Sequence, residues 1–175
     1  RMKEAKYPLL WSIGSIYVLF HLLYFTNIIP PIPLSLKESG IYHSLARTNG
    51  GYAAQFESAP WYSVFQEYNG TFHRVNGEPV YAYSAVFAPT KLDTAMVHQW
   101  SYYDEEKRAW IPADRFGFSI IGGRDGGWRG YSFKQSINPG KWRVDVETDR
   151  GQLLGRMVFM VVEAVSKPEL QPILR

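Results

Sequence analysis

A glycine-rich segment between residues 121 and 131 carries the side chains best suited to bind a ligand. Glycines on both sides of Arg124 and Asp125 allow a tight, protruding loop. An arginine can hold a carboxylate or phosphate with two parallel hydrogen bonds, and aromatic faces can stack on sugar rings. The segment therefore predicts a binding site that contains Arg124, Asp125, Trp128, Arg129 and Tyr131. The alternative is a wide hairpin whose Arg124–Asp125 pair is structural.

His98 and Trp100 are two further candidates for the binding site. They lie two residues apart in a segment, Met96 to Tyr103, whose alternating pattern predicts a β-strand. Both side chains therefore project from the apolar face of that strand. A histidine on such a face is more often a hydrogen-bonded core residue than a ligand, and this alternative stays open.

Several kinds of catalytic or metal site have no support in the sequence. There is no cysteine, no Gly-x-Ser-x-Gly nucleophile motif, and no helical pairing of His43 with His73. We therefore expect no metal and no cofactor, and we favour a non-enzymatic domain. The rival interpretation is a hydrolase whose acid–base pair comes from His98, Asp93 or Asp125.

The charge pattern argues against nucleic acid as a partner. The formal net charge is +3 and the pI is about 9.1. Lys and Arg are dispersed among acidic residues rather than gathered into a tract. Aromatic residues make up 16% of the chain, which suits pleated surfaces and binding platforms.

A long uncharged segment near the N-terminus predicts a membrane span. No Asp, Glu, Lys or Arg lies between Tyr7 and Leu36. A helix of ~20 apolar residues crosses a hydrocarbon core of roughly 30 Å, and the prolines from Pro30 onward would end such a helix. We therefore predict a transmembrane helix over residues 7–30, with the lipid bilayer as a partner.

The residues that flank this segment predict its orientation. Arg1, Lys3 and Lys6 precede it against the single acidic residue Glu4. Because positive flanks stay in the cytoplasm, residues 1–6 are predicted to be cytoplasmic and the rest of the chain to lie across the membrane. The chain begins with Arg, which leaves room for earlier spans in a longer protein.

The remainder of the chain shows the pattern of an all-β domain. Residues 142–148 alternate between an apolar face and a polar face, which predicts a half-solvated strand, whereas residues 157–162 are apolar throughout and predict a strand covered on both sides. About seven or eight short strands with regular turns favour an immunoglobulin-like or jelly-roll-type β-sandwich. A small barrel is the alternative.

The same pattern gives the predicted domain boundaries. Residues 31–50 are expected to form a connector that is helical or irregular and is broken at Gly40. The extracytoplasmic sandwich then covers 51–165, with one of its strands at 61–68, and 166–175 are expected to be a loose tail.

An ordered set of short motifs resembles the bacterial family known as domain of unknown function 2914. The resemblance covers nearly everything from the predicted span onward, and it implies a multi-span inner-membrane protein that ends in this domain on the periplasmic side. It brings no established activity and no catalytic residue. The motifs are Ile29–Leu36 with Gly40–His43, Val80-Tyr81 with Phe87–Thr90, His98-x-Trp100, Gly122–Asp125 with Arg129–Ser132, and Trp142–Val144 with Gly151 and Gly155.

The sequence therefore favours a membrane-anchored interaction module at the periplasmic face. Its expected partner is an envelope glycan, a lipid headgroup or another membrane protein. A further interpretation is a structural subunit of a membrane complex, in which Trp61, Trp110 and Trp128 anchor the assembly. Because one fold can carry many functions, the positions of these side chains have to distinguish the alternatives.

Overall fold

The computed structural model describes residues 6–26, 34–49, 51–57, 70–75, 77–87, 92–122 and 128–175. The chain forms two compact units, residues 1–33 and residues 34–175. The predicted strand at 61–68, and the residues Arg124 and Asp125 of the predicted loop, lie outside the described residues.

The described residues of the first unit form a helix, α1 (Lys6–Phe25). Its polar side chains bond to backbone carbonyls one turn earlier: Ser12 Oγ donates to Pro8 O at 2.7 Å, and His21 Nδ1 donates to Tyr17 O at 3.0 Å. The transmembrane helix predicted for residues 7–30 is not found. Within the described ranges, no helix combines the length and the apolar character needed to cross a bilayer. The prediction counted uncharged residues, but Ser12 and His21 are uncharged without being apolar.

The second unit is built from strands, which confirms the predicted all-β class. Its described residues form eleven strands in three sheets, with the orders β1-β5-β8, β4-β10-β9-β6-β7 and β11-β3-β2. The strands are β1 (Ser35–Tyr42), β2 (Ser44–Thr48), β3 (Gly51–Glu57), β4 (Thr71–Arg74), β5 (Val80–Phe87), β6 (Leu92–Asp104), β7 (Ala109–Gly122), β8 (Trp128–Lys134), β9 (Gly140–Thr148), β10 (Leu153–Glu163) and β11 (Leu170–Leu174).

The main core lies between the first two sheets, which makes the domain a β-sandwich. Inward side chains of β5, such as Val80 and Ala82, share one apolar cluster with Trp100 of β6 and Val144 of β9. A second, smaller cluster joins Tyr83 of β5 to the third sheet, so that this sheet covers part of the other face of β5. Every pairing is antiparallel in the described part except that of β4 with β10.

Two strands differ from their predicted burial. In β9 the apolar face is buried as predicted, but Asp145 on the other face is also only 3% exposed. Its carboxylate is held by Arg156, whose Nε lies 2.5 Å from Asp145 Oδ1. In β10 the prediction of cover on both sides is wrong, because Val158 and Met160 are 37% and 40% exposed. An unbroken apolar run does not show whether a second layer is present.

The connector predicted for residues 31–50 is wrong, because β1 and β2 occupy most of it. Gly40 does not break the chain there. It lies within β1, and a Cβ at this position would lie 2.5 Å from the Tyr42 hydroxyl oxygen. The missing side chain therefore makes room for the Tyr42 ring, which is 1% exposed.

The loose tail predicted for residues 166–175 is also wrong. β11 pairs with β3, and two backbone hydrogen bonds of 2.8 Å join Arg175 to Tyr52. Arg175 Nε also donates to the Tyr42 hydroxyl at 3.0 Å. The prolines in this segment suggested an irregular end, but Pro172 lies on an edge strand, where its missing N–H is tolerated.

Deletion of residues 169–175 is expected to lower the free energy of unfolding by about 2 kcal/mol or more. At least two backbone hydrogen bonds, each of about 1 kcal/mol, are lost together with the Arg175–Tyr42 contact. Urea unfolding followed by circular dichroism measures the change. Gln171→Ala, an exposed change in the same strand, is the control. An unchanged midpoint in the deletion would show that β11 does not stabilise the domain.

Candidate binding surface

The predicted binding residues on β8 point to opposite sides of the sheet. Trp128 packs against the main core. Arg129 and Tyr131 alternate with it and are exposed, Tyr131 to 43%. Because successive side chains of a strand face opposite ways, Trp128 cannot share a surface with these two residues. The structure therefore retains Arg129 and Tyr131 as candidates and assigns Trp128 to the core.

His98 and Trp100 are core residues, so the prediction that they bind a ligand is wrong. Both are 0% exposed. His98 lies between two hydroxyls, with Nε2 at 2.7 Å from Ser84 Oγ and Nδ1 at 2.9 Å from Ser132 Oγ. Trp100 Nε1 donates to the same Ser132 Oγ at 2.9 Å. The polar atoms of both rings are thus satisfied inside the sandwich.

The surroundings of His98 keep its ring neutral. Burial lowers the pKa of His98 to about 4, because an imidazolium would lose its hydration there. A neutral ring donates from one nitrogen and accepts at the other, and each hydroxyl can take either role. His98 therefore cannot act as an acid–base group on a substrate in solvent, which removes the main residue of the hydrolase interpretation.

Four rings form a surface that we call the aromatic platform: Tyr52, Tyr81, Tyr131 and Phe133. Neighbouring ring centroids are 5.8 Å apart for Tyr52 and Tyr131, 6.3 Å for Tyr131 and Tyr81, and 5.6 Å for Tyr81 and Phe133. Tyr131 and Phe133 are 43% and 49% exposed. The platform is therefore a row of neighbouring rings in which Tyr131 and Phe133 are exposed and Tyr52 and Tyr81 are partly buried.

The strand register creates this row. β5 and β8 pair so that Tyr81 is opposite Phe133 and Tyr83 is opposite Tyr131. On an antiparallel pair, opposite side chains are close enough for aromatic rings to touch. Tyr52 joins from β3, with its ring 5.7 Å from that of Tyr83. The platform therefore lies where the third sheet stops covering β5 and β8.

Arg129 adds a positive charge beside the platform. It is exposed, and none of the ion pairs found among the described residues includes it. Burial raises the pKa of Tyr83 to about 12, although the nearby Arg129 opposes that change. Tyr83 is 0% exposed, so its ring supports the platform from below while Arg129 remains available to a ligand.

A second polar cluster joins the third sheet to β4, and the sequence did not predict it. Glu57 is 8% exposed, with Oε1 at 2.8 Å from His43 Nε2 and Oε2 at 2.6 Å from His73 Nδ1. Burial raises the pKa of Glu57, but the hydrogen bonds from the two histidines outweigh this and bring it to about 2. No metal-binding group of His, Asp and Glu is found among the described residues. The hydrogen bonds connect Glu57 of β3 with His73 of β4 and with His43, which lies between β1 and β2.

Neither the hydrolase interpretation nor the interpretation as a structural subunit receives geometric support from the described residues. His98 is buried, and the side chains of Asp93 and Asp125 lie outside the described residues. Of the tryptophans predicted to anchor an assembly, Trp128 packs in the core, while Trp110 lies beside Arg143 on another sheet, 4.7 Å from ring centroid to guanidinium. These two rings form no common surface.

Three platform residues escaped the sequence analysis: Tyr52, Tyr81 and Phe133. The alternation around Tyr81 and around Tyr131–Phe133 was a sufficient signal for two strands. The sequence did not show that these strands are neighbours, because β5 and β8 are separated by β6 and β7 along the chain. The ring contacts depend on that pairing.

Comparison with solved structures gives distant neighbours. An immunoglobulin-like protein from Pseudomonas aeruginosa has a TM-score of 0.40 and 13% identity, over 74% of this chain and 97% of its own. The alkylpurine DNA glycosylase AlkC of Pseudomonas fluorescens, bound to DNA containing an abasic site analogue, has a TM-score of 0.42 and 12% identity. That match covers 73% of this chain and 30% of the glycosylase.

Comparison with curated proteins gives no match. Comparison with family models gives one match. The matched region contains β7, β8 and β9 and most of β6 and β10. Residues 93–161 match the family described as "Protein of unknown function (DUF2914)", and this supports the domain family that the sequence resembles.

Proposed function

We propose that this domain is a non-enzymatic binding module whose aromatic platform captures a glycan of the bacterial envelope. The observation that carries the proposal is the row of four neighbouring rings, two of them more than 40% exposed. Aromatic rings bury the apolar faces of sugars, and a row of rings can engage successive sugars of one chain. Such a surface suits a polymer better than a small substrate.

The support around the rings favours binding over catalysis. The platform stands on paired strands, so its rings are held in place before a ligand arrives. Its rings and Arg129 include no carboxylate and no histidine, the groups that most often act as general acid and base. Arg129 can instead form a charge-assisted hydrogen bond with an acidic group on the glycan.

Replacement of both Tyr131 and Phe133 with Ala is expected to weaken glycan capture by about 100-fold. Each stacked ring contributes about 1–1.5 kcal/mol, which corresponds to about tenfold in affinity. Sedimentation of the full chain with insoluble peptidoglycan sacculi, quantified over a range of sacculus concentrations, measures the loss. Arg129→Ala is expected to weaken capture less, with a larger effect at low salt.

The matched control removes exposed apolar side chains from another sheet. Val158 and Met160 are 37% and 40% exposed, close to the exposure of the platform residues. The double Ala variant at these positions should keep full capture. Equal loss in both double variants, or undiminished capture without Tyr131 and Phe133, would contradict the proposal. Trp128 is unsuitable for this test, because its contact with the core couples binding to stability.

The predicted location at the bacterial inner membrane, with the domain in the periplasm, stays a prediction. It is supported by the segment from Tyr7 to Leu36, which has no Asp, Glu, Lys or Arg, and by the positive residues before it. Fractionation of cells that produce the full chain, followed by protease treatment of spheroplasts, tests it. Recovery of an intact, protected domain would contradict the periplasmic location.

A further inference from the structure

One end of the aromatic platform, at Tyr52, has an arginine on each side within the third sheet. In the pairing of β2 with β3, Arg47 lies directly opposite Tyr52. On the other side, two backbone hydrogen bonds of 2.8 Å join Tyr52 to Arg175, which follows β11. Because directly opposite residues of neighbouring strands project to the same face, both arginine side chains lie on the face that carries the Tyr52 ring. Arg175 is half-buried there, and its Nε donates to the Tyr42 hydroxyl at 3.0 Å.

A third arginine reaches the same end of the platform from another sheet. Arg129 precedes Tyr131 by two residues in β8, so the two side chains share a face. The Tyr131 ring is 5.8 Å from the Tyr52 ring. A Cβ added to Gly51, the residue before Tyr52, would lie 3.2 Å from Arg129 Nη1. The guanidinium of Arg129 therefore lies beside the start of β3. We call Arg47, Arg129 and Arg175 the arginine cluster.

The positive charges of the arginine cluster outnumber the negative charges beside it. Arg47 and Arg129 are exposed, and none of the ion pairs found among the described residues includes either of them. Burial raises the pKa of Tyr83 to about 12; Arg129 and Arg175 oppose this rise, and the carboxylate of Glu38 favours it. Like charges held close together repel one another. An anionic ligand that neutralises the exposed arginines would therefore be bound favourably at this end of the platform.

We propose that the arginine cluster makes the platform selective for an acidic glycan, whose carboxylates bind Arg47 and Arg129 while its sugar faces stack on Tyr52 and Tyr131. The inference rests on the binding function proposed above and names the class of glycan. A guanidinium can hold a carboxylate with two parallel hydrogen bonds. Arg47 and Arg129 come from different sheets and flank one pair of neighbouring rings. This arrangement suits a polymer that carries an acid group on each sugar better than a ligand with a single charge.

Titration calorimetry of the full chain with an oligogalacturonate tests the class of ligand. This oligomer carries a carboxylate on every sugar, and it should bind at least about tenfold more tightly than its fully methyl-esterified form, which keeps the sugars and loses the charges. The difference should shrink at high salt, because salt screens exposed charges. Equal affinity of the two forms would overturn the acidic class but would leave sacculus capture by the platform intact.

Inorganic polyphosphate separates glycan recognition from general attraction to anions. It supplies repeated negative charges without sugar rings, so it should bind more weakly than the oligogalacturonate, because no ring stacks on Tyr52 or Tyr131. Polyphosphate binding as tight as that of the oligogalacturonate would overturn the proposal, since the platform would then contribute nothing to recognition.

Variants of Arg47 test the residue that only this inference assigns to binding. Arg47→Gln should weaken oligogalacturonate binding by about tenfold and affect the methyl-esterified form much less. Arg47→Lys should recover part of the loss, because an ammonium keeps the charge without the two-pronged geometry. Arg150→Gln is the control, since it removes the same charge from an exposed residue between β9 and β10. Equal losses in the Arg47→Gln and Arg150→Gln variants, or full affinity in Arg47→Gln, would refute the role of Arg47.

Discussion

Replacement of Trp100 with Ala is expected to lower the free energy of unfolding by about 3–5 kcal/mol, the largest effect of any single change considered. Trp100 is 0% exposed, and its ring meets that of Phe159 edge to face, with centroids 6.2 Å apart. Its removal leaves a cavity between the two main sheets. It also removes the N–H that reaches Ser132 Oγ. Thermal and urea unfolding measure the loss.

A second tryptophan provides the control for this prediction. Trp110 is partly exposed and contacts Tyr103 and Arg143, outside the main core. Trp110→Ala should therefore cost about 1 kcal/mol. If Trp100→Ala retained the stability of the native chain, the sandwich core described here would be wrong. If it lost ligand capture without a loss of stability, Trp100 would be a binding residue after all.

The domain is expected to lose about 3 kcal/mol of stability as the pH falls from about 6.5 to 4, because of His98. The pKa of His98 is about 4 in the folded chain, against 6.5 for an ordinary histidine. Below pH 6.5 the unfolded chain therefore takes up a proton that the folded chain cannot accept. The contribution of His98 is complete above pH 6.5 and is lost on acidification.

The His98→Gln variant tests this assignment. Gln keeps one donor and one acceptor for Ser84 and Ser132 but does not titrate. The variant should be less stable at neutral pH, and its free energy of unfolding should fall much less between pH 6.5 and 4. Urea unfolding at several pH values gives both slopes. A slope equal to that of the native chain would show that other groups cause the pH dependence.

Glu57 adds a separate decrease at lower pH. Its pKa is about 2 in the folded chain, against 4.5 for an ordinary glutamate. Its contribution is therefore present above pH 4.5 and is lost as the pH falls toward 2. The pH ranges in which His98 and Glu57 lose their contributions to stability meet near pH 4. The His98→Gln variant should therefore still show the loss of stability at lower pH that Glu57 causes.

The sequence correctly predicted an all-β sandwich because strand patterns are local. Alternation in Trp142–Thr148 requires only that one face be apolar, and β9 occupies Gly140–Thr148. The same local logic failed for β1 and β11. Their segments contain glycine and proline, which suggested irregular chain. They are strands because distant segments pair with them, β5 with β1 and β3 with β11.

Burial was the next property that the sequence left open. The apolar run in β10 was expected to be covered on both sides, yet only one face is covered. Asp145 was expected to face solvent, yet Arg156 neutralises it at a buried position. Whether a second layer or an opposite charge lies beside a residue depends on parts of the chain that are far away in sequence.

For the proposed binding surface, the sequence analysis singled out two exposed residues of β8, Arg129 and Tyr131. It grouped them with Trp128, His98 and Trp100, because spacing along a chain shows which residues share a strand face but not which face meets the core. Only the tertiary structure placed Trp128, His98 and Trp100 inside and brought distant tyrosines beside Tyr131. The physical reason is that a local pattern sets how side chains alternate, whereas the packing of whole sheets decides which of the two faces remains in contact with water.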